Sequence, residues 1–465
     1  MSSTIYRFLA GAALISSLLP ACTSGPEKDK KENAPAGIDS SKITVAPPPD
    51  WIKQSNVYEV NLRQYTKEGT FAAFSQSLPR LKDMGVEILW FMPITPIGIT
   101  DRKGSLGSYY AVADYKAVNP EFGTMDDFKK LVNDAHAQGF KVIIDWVANH
   151  TSADHPWLKS HPGFYNRDST GKALSAFDWT DTRDLNYDNK ELRDSMIASM
   201  LFWLDQTKID GFRCDVASEV PTDFWKTCIS TLKKDKASIF MLAEGDKGDL
   251  HEAGFDASYP WDMFQHMKKL AAGKTNALTL DSVLARQDST FPAGAIRLYF
   301  TSNHDENSWN KSDFGTFPGL KHGAFAVLTQ TMRGSLPLIY GGQEEPVLRA
   351  ISFFEKDSMS MKQFKRAAFY KTLLQLRKRN AALSTDASFR KVSVGDDKAL
   401  YAYLREKDGN KVLVILNLSA KEQTIHIKDQ ALVGEPMNLF LGAKEPFKLG
   451  HSFNIEPWGY IVCEY

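Results

Sequence analysis

The sequence GFRCDVASE, residues 211–219, combines the composition of a buried β-strand with two charged side chains near its middle. Arg213 and Asp215 lie two positions apart, so on a strand both side chains point to the same face. Such a pair is either an ion pair that holds the interior together or part of a site whose chemistry needs a charged carboxylate. Taken alone, the stretch favours the structural ion pair, and the rest of the chain must decide between the two interpretations.

This stretch belongs to a series of eight short apolar runs that alternate with amphipathic segments. The runs occupy residues 57–65, 87–93, 141–147, 209–216, 239–244, 254–259, 296–303 and 336–342. Helical spacing of apolar residues marks the segments 124–139, 192–207, 319–334 and 361–380. Eight alternating strands and helices are typical of a (β/α)8 barrel of parallel strands, a TIM barrel. A doubly wound sheet is the alternative, but no glycine-rich phosphate-binding loop follows any run.

Two departures from this alternation divide the chain further. The connection over residues 149–189 is too long for a plain barrel loop, which predicts a small inserted domain after the third strand. After residue 382 the pattern alternates at period two, which predicts an all-β sandwich. The predicted domains are therefore a barrel at 51–382, which contains the insert, and a C-terminal β-sandwich at 383–465.

The N-terminal residues predict export. Arg7 precedes an apolar run and then small residues, the pattern of a signal peptide over residues 1–21. The LPAC sequence that ends at Cys22 is similar to a bacterial lipoprotein processing site, with Cys22 as the lipidated residue. Ordinary cleavage that leaves a soluble secreted protein is the alternative. Residues 22–50 are polar, charged and proline-rich, as in a flexible tether, so we predict a membrane-anchored lipoprotein, periplasmic or on the cell surface.

Composition narrows the range of partners. The 465 residues have a formal net charge of +0, which argues against nucleic acid as a partner. Aromatic residues make up 12% of the chain, a share that suits a large core and also ligands with flat apolar faces, such as sugars. Cys214, Cys228 and Cys463 fit neither metal-site nor disulfide spacing, so we predict that they are buried as small apolar residues.

Carboxylates occur where three of the predicted strands end, and a barrel carries its active site at those ends. Asp215 lies at the end of the fourth run, Glu244 ends the fifth, and Asp305 follows the seventh. Glycoside hydrolysis needs one carboxylate as nucleophile or base and a second as acid. In that setting Arg213 orients Asp215 and lowers its pKa. The matching carboxylates at other strand ends therefore favour catalysis over the structural ion pair.

Four sequences in this order resemble those of glycoside hydrolase family 13, the α-amylase family. They are DWVANH at 145–150, GFRCDVASE at 211–219, AE at 243–244 and FTSNHD at 300–305. The stretches 107–124 and 181–189 are also similar to loops of that family. The resemblance extends over residues 51–465. It implies a retaining glycoside hydrolase that cleaves α-1,4-glucosidic bonds in starch or maltodextrins through a covalent glycosyl-enzyme intermediate.

The resemblance also implies a role for each matching residue. Asp215 corresponds to the nucleophile, Glu244 to the general acid/base, and Asp305 to the carboxylate that stabilises the transition state. The implied substrate-binding residues are Tyr110 as an aromatic platform, His150 and His304 as partners of sugar hydroxyls, Arg213 as partner of the nucleophile, and Asp145 as a supporting acid.

The second half of the 211–219 stretch departs from the typical α-amylase sequence. Where those enzymes carry Lys-His, this chain has Ser218 and Glu219, which is similar to neopullulanases, cyclomaltodextrinases and maltogenic amylases. Glu219 would then face the leaving-group sugar. RDLN at 183–186 departs from the motif of that subgroup, so α-amylase-like hydrolysis is the preferred prediction. The alternatives are a neopullulanase- or cyclomaltodextrinase-type hydrolase, an α-glucan transglycosylase and a non-catalytic glucan-binding protein.

The resemblance implies no cofactor for the chemistry, but it suggests a structural calcium ion between barrel and insert. Asn149 and Asp184 correspond to the side-chain ligands, and both offer the oxygen atoms that calcium prefers. Asn149 can equally be a hydrogen-bonding scaffold residue. The expected partner is an α-glucan oligo- or polysaccharide, membrane contact is expected only through the N-terminal lipid, and the chain is expected to be a monomer.

Overall fold

The computed structural model describes residues 46–465, and eight parallel strands close into a barrel at its centre. Each strand pairs with its predecessor and its successor in this series, and the first pairs with the eighth. The barrel strands are Val57–Val60, Ile88–Phe91, Lys141–Trp146, Gly211–Cys214, Phe240–Ala243, Ala257–Ser258, Ile296–Tyr299 and Ser335–Tyr340. All eight apolar runs therefore contain barrel strands, and the predicted TIM barrel is confirmed. The predicted signal peptide, Cys22 and residues 22–45 of the tether lie outside the described residues.

Helices surround the barrel. The longer ones are Leu78–Met84, Met125–Ala137, Lys190–Thr207, Thr222–Asp235, Trp261–Ala271, Thr279–Thr290, Leu320–Thr331 and Ala367–Arg379. Shorter ones are Leu62–Tyr65, Phe71–Ser75, Trp157–Ser160, Asp249–Glu252 and His304–Asn310. Thr124 caps the helix Met125–Ala137 in a full capping box with Asp127, which satisfies backbone N–H groups that the first turn leaves unpaired. Within residues 46–465, none of the helices combines the length and the apolar character required to cross a bilayer.

The long connection after the third barrel strand contains two antiparallel paired strands, His150–Ser152 and Thr182–Asp184. His150 pairs with Asp184 in the register of these strands. The Asn166 side chain donates a hydrogen bond of 2.7 Å to the Asp184 carboxylate, which attaches the second strand to the segment that joins the two strands. This connection places His150 directly above the carboxyl end of the barrel.

The C-terminal region consists of two antiparallel sheets. The larger sheet contains Ser388–Val392, Leu400–Lys407, Asn410–Asn417, Met437–Asn438, Ala443–Lys444 and Tyr460–Glu464, and the smaller one contains Gln423–His426 and Ser452–Ile455. Leu404 and Leu413 of the larger sheet share one apolar cluster with Ile425 and Ile455 of the smaller sheet. The two sheets therefore pack face to face, as a sandwich requires.

The opposite face of the larger sheet is buried against the barrel. Tyr403 and Val414 belong to the same apolar cluster as Phe325 on the barrel helix Leu320–Thr331. Arg405 is fully buried there, and its guanidinium donates to the backbone carbonyls of Thr331 and Met332, both at 2.8 Å. The central strands Leu400–Lys407 and Asn410–Asn417 of the larger sheet are thus covered on both faces. The three cysteines predicted to be buried are buried, and none of them forms a disulfide within residues 46–465.

Candidate active site

The carboxyl ends of the barrel strands surround a cleft of about 540 Å³. Five predicted site residues line it: Tyr110, His150, Asp215, Glu244 and Asp305. The remaining lining residues are Lys103, Ser108, Asp178, Trp179, Asp181, Thr182, Val216, Trp309, Phe353 and Phe354. The three carboxylates that the sequence placed at separate strand ends therefore face one common space.

Arg213 lies beneath the cleft and contacts three carboxylates. Its Nη1 donates to Asp145 Oδ1 and to Asp215 Oδ1, both at 2.9 Å. Its Nη2 lies 3.0 Å from Glu244 Oε2. The guanidinium is fully buried and packs over the ring of Trp90, which holds its plane in place. Asp215 and Glu244 come from neighbouring strands. Each contacts a different nitrogen of the same planar guanidinium, Asp215 at Nη1 and Glu244 at Nη2.

Three carboxyl groups around one guanidinium carry more negative charge than Arg213 can neutralise. Burial raises the pKa of Asp215 well above its ordinary value; Arg213 lowers it, and repulsion from Glu244 and Asp145 raises it further. Burial likewise raises the pKa of Asp145 to about 6, against the effect of Arg213. Arg213 acts in the direction expected from the sequence, but burial outweighs it. Burial therefore favours the protonated forms of Asp215 and Asp145, and Arg213 is the neighbour that favours their ionised forms.

His304 lies between two carboxylates and the ring of Tyr110. Its Nδ1 is 2.5 Å from Glu59 Oε1, and its Nε2 is 2.8 Å from the Tyr110 hydroxyl and 3.4 Å from Asp305 Oδ2. Burial alone would lower the pKa of His304, but the charges of Asp305 and Glu59 raise it to about 9. The imidazole is therefore protonated at neutral pH, with an N–H group directed to each side.

The protonation state of His150 is opposite to that of His304. Burial lowers its pKa to about 4, so the ring is neutral. The Asn149 amide nitrogen lies 3.2 Å from Nδ1, which assigns the proton to Nε2. Nε2 is buried without a hydrogen-bond partner among residues 46–465, and His150 lines the cleft. His150 therefore offers a neutral N–H donor to a ligand, as predicted for a residue that binds sugar hydroxyls.

Val216 carries backbone strain beside the carboxylates. Its φ of 35° and ψ of 45° lie in the left-handed region, which β-branched residues rarely adopt. The strained backbone directs the Val216 N–H to Glu244 Oε2 at 2.8 Å. Strain of this kind persists only where the surrounding structure imposes it, and such residues cluster at functional sites.

Comparison with known families agrees with this arrangement. The family model described as "Alpha amylase, catalytic domain" matches residues 48–179 and 169–378, which include the barrel and the insert. The chain belongs to the alpha-amylase family. A second model of that family, "Alpha-amylase SusG C-terminal domain", matches residues 400–459 in the C-terminal sheets. The family predicted from the four strand-end sequences is confirmed, and the protein is a glycoside hydrolase of the amylase type.

Similar members of the alpha-amylase family have different names. Alpha-amylase 3 of Dictyoglomus thermophilum is 25% identical over 460 residues, covering 82% of this chain and 88% of that protein. Alpha-amylase MalA of Haloarcula japonica is 26% identical over 400 residues, covering 81% of this chain, which spans only 57% of that longer protein. Neopullulanase 2 of Thermoactinomyces vulgaris is 26% identical over 433 residues, covering 81% of this chain and 71% of that protein.

A solved structure supports the same assignment. The alpha-amylase from Lactobacillus plantarum is 29% identical and superposes with a TM-score of 0.79, covering 89% of this chain and 99% of that chain. The likeness therefore covers most of residues 46–465 and is not confined to the barrel.

Six predicted residues do not line the cleft: Arg213, Asp145 and His304, which contact lining residues, and Glu219, Asp184 and Asn149. Glu219 is exposed at the end of the short helix Ala217–Glu219, beyond Val216. Asp184 is half-buried, and burial raises its pKa while the Asn166 amide partly opposes this. Asn149 engages His150 through its amide nitrogen, so its oxygen remains the atom suited to a cation. Residues 46–465 contain no cluster of three or more His, Cys, Asp or Glu side chains that could hold a metal, so a calcium ion here would also need backbone carbonyls.

Several site residues were not predicted from the sequence. Glu59 is a charged residue inside an apolar run, and that contrast was a usable signal. Trp179 and Phe353 lie in loops, where aromatic residues follow no periodic pattern, and Trp309 lies on the short helix His304–Asn310. Phe353 stacks on Tyr110 with the rings 15° from parallel, and Trp309 lies beside it at 5.5 Å between centroids. Trp309 and Phe353 of the aromatic wall thus come from the helix after the seventh strand and the loop after the eighth strand.

Proposed function

We propose that the protein hydrolyses α-1,4-glucosidic bonds in starch or maltodextrins with retention of configuration. The observation that carries the proposal is the Arg213 guanidinium, which contacts both Asp215 and Glu244 at the floor of the cleft. Carboxyl groups in contact with the same guanidinium support the short separation, about 5–5.5 Å, that is typical of retaining enzymes.

In the first step, the Asp215 carboxylate attacks the anomeric carbon while Glu244 protonates the departing glycosidic oxygen. This forms the glycosyl-enzyme ester and releases the leaving-side sugar. In the second step, Glu244 accepts a proton from water, the water oxygen attacks the anomeric carbon, and the Asp215 carboxylate leaves. Asp305 and the imidazolium of His304 bind hydroxyls of the same sugar, His150 donates to another, and Tyr110 provides the apolar surface beneath the ring.

Azide rescue tests these assignments. In Glu244→Ala, azide should restore turnover of an α-glucoside with a good leaving group and yield the α-glycosyl azide. In Asp215→Ala, azide should yield the β-glycosyl azide, because azide then attacks the substrate directly. We expect Glu244→Gln to lower kcat on maltoheptaose by about 10²–10⁴-fold. Asp83→Asn, an exposed carboxylate in a surface ion pair with Lys371, is the matched control. Wild-type activity in a Glu244 variant would reject the role of Glu244 as the acid/base, and wild-type activity in Asp215→Ala would reject the role of Asp215 as the nucleophile.

A neopullulanase- or cyclomaltodextrinase-type specificity is the second candidate. Ser218 and Glu219 favour it, and so does the similarity to Neopullulanase 2. Time courses with starch, pullulan, β-cyclodextrin and maltoheptaose distinguish the two. Faster turnover of β-cyclodextrin or pullulan than of starch would replace the first proposal by the second.

We also propose that the enzyme is an exported lipoprotein held at the membrane through Cys22. The support is the sequence of residues 1–50. Labelling cells with a palmitate analogue should mark the wild type but not Cys22→Ser, and the variant should move from the membrane fraction to the soluble fraction. A soluble wild-type protein without label would favour ordinary signal-peptide cleavage.

A further inference from the structure

The loop after the second barrel strand forms a bridge across one side of the cleft. We call residues 98–107 the bridge segment. At its start, the backbone N–H groups of Ile99 and Thr100 donate to the Asp154 carboxylate at 2.7 and 3.0 Å, which ties the segment to the insert. At its end, Leu106 N–H donates to the Phe354 carbonyl at 3.1 Å, which ties it to the loop after the eighth strand.

Two ion pairs strengthen the attachment to the insert. Lys103 Nζ lies 3.1 Å from Asp181, and Asp101 lies 3.0 Å from Arg183. Lys103 and Asp181 both line the cleft, so this attachment forms part of the cleft wall. The bridge segment therefore runs along the cleft rim and stays in contact with the substrate space.

The attachment to the loop after the eighth strand is equally close. The Glu355 carboxylate accepts from the Ser105 N–H at 2.8 Å and from the Ser105 hydroxyl. Gly104 has a φ of +65°, and a Cβ atom there would lie 2.6 Å from the Cβ of Phe354, so the two loops touch without space for a side chain. Phe354 also lines the cleft. The wall is therefore continuous from the insert, across the bridge segment, to the aromatic residues after the eighth strand.

The position of this wall relative to Glu244 determines which end of a bound glucan the wall faces. The second and eighth strands flank the first strand in the closed barrel, and the fifth strand, which Glu244 directly follows, lies opposite the first. In the proposed reaction, Glu244 protonates the oxygen of the leaving side, so the leaving sugars pass over the Glu244 side of the cleft. The bridge segment thus lies on the other side, where the sugars that become attached to Asp215 must bind.

We propose that the bridge segment closes this glycone end of the cleft, so that the enzyme accepts only a short stretch of glucan there and shortens chains from their non-reducing ends. The inference rests on the proposed hydrolysis of α-1,4-glucans. It deepens that proposal by assigning the direction and the size limit of cleavage. The alternative is a chain that passes over the wall and is cut at internal bonds.

Product analysis with maltoheptaose that carries a fluorophore at its reducing end tests the inference. With a closed glycone end, the unlabelled fragments released at first are short and of one narrow size, and iodine staining of amylose falls slowly relative to the release of reducing ends. Early unlabelled fragments of many lengths, together with a rapid fall in iodine staining, would overturn the inference but leave the proposed hydrolysis intact. A folded enzyme that cleaves neither substrate would reject both.

A variant that loosens the bridge segment at both ends tests its role directly. Asp101 and Glu355 are exposed and do not line the cleft, so Asp101→Ala/Glu355→Ala removes one anchor at each end and leaves the substrate contacts unchanged. Loss of one such anchor at each end shifts the equilibrium between the attached and the detached bridge segment by roughly fivefold or more. We expect the share of long unlabelled fragments to rise by about that factor.

Asp83→Ala/Asp134→Ala is the matched control, because it removes two carboxylates from surface ion pairs on the barrel helices. Its products should equal those of the wild type. If the bridge variant also produced the wild-type fragments, another element would limit the glycone side and the inference would be wrong.

Discussion

Replacement of Glu59 by glutamine should change the protonation of a histidine that is distant in sequence and adjacent in space. Glu59 is fully buried on the first barrel strand, and its Oε1 accepts from His304 Nδ1 at 2.5 Å. Glutamine preserves the size and an acceptor oxygen but removes the negative charge. The test therefore separates the electrostatic role of Glu59 from its packing.

The magnitude follows from the pKa of His304. A rise from 6.5 to about 9 corresponds to about 3 kcal/mol in favour of the imidazolium. Asp305 and Glu59 both contribute to this rise, while burial and Arg213 oppose it. Removal of the Glu59 charge should lower the pKa of His304 by about 1 or more. Because the folded-state pKa is raised, the stabilisation is complete below pH 6.5 and is lost as the pH rises through about 9.

Two measurements check this. NMR titration of ¹³C-labelled histidine, with His304 assigned from a His304→Gln sample, gives the pKa directly. The difference in free energy of unfolding between the wild type and Glu59→Gln should be larger at pH 6 than at pH 10. Glu344→Gln is the control, because Glu344 is equally buried but binds Tyr58 and Arg80 instead. An unchanged His304 titration, with a stability difference that is equal at both pH values, would refute the reasoning.

The other predictions concern single side chains. Arg213→Lys should lower kcat/KM on maltoheptaose by at least about 100-fold with a native circular dichroism spectrum, because one ammonium cannot satisfy three carboxylates; activity near the wild-type level would contradict this. Arg405→Met should lower the free energy of unfolding in urea by about 2 kcal/mol or more, since buried carbonyls lose their donors. Thr124→Ala should cost about 1 kcal/mol in the same assay through loss of the helix cap. If Asp184 holds calcium, EDTA should lower the Tm of the wild type but not that of Asp184→Asn; equal Tm values with and without EDTA would count against the metal.

The barrel could be predicted from the sequence because each strand is an apolar run separated from the next by a helix. Even the two-residue strand Ala257–Ser258 lies within a predicted run. The ends of the elements were less predictable. The run at 57–65 predicts one strand, yet the strand ends at Val60 and Leu62–Tyr65 forms a helical turn. Both parts are buried, so apolar content alone does not separate them.

The site residues that directly follow a barrel strand could be predicted from the sequence. Those whose role depends on contact with a residue distant in sequence could not. Asp215, Glu244 and Asp305 follow strands, so their meeting in one cleft could be expected. Glu59 acts on His304 across 245 positions of sequence, and only the closed barrel brings them together. The pKa of Asp215 also needed the structure, because burial and the number of neighbouring carboxylates cannot be read from an Arg-X-Asp spacing.

The burial of the central strands of the larger C-terminal sheet on both faces limits which substitutions the chain can accept. Thr331 and Tyr403 share a hydrogen bond of 2.6 Å across the contact, and Arg405 is held by carbonyls at the end of the helix Leu320–Thr331. A substitution in the larger sheet changes the surface against which the helix Leu320–Thr331 packs, and a substitution in the helix changes the surface against which the sheet packs. These two segments should therefore co-vary among homologues, and exchange of the C-terminal sheets between family members should succeed only when that helix is exchanged with them.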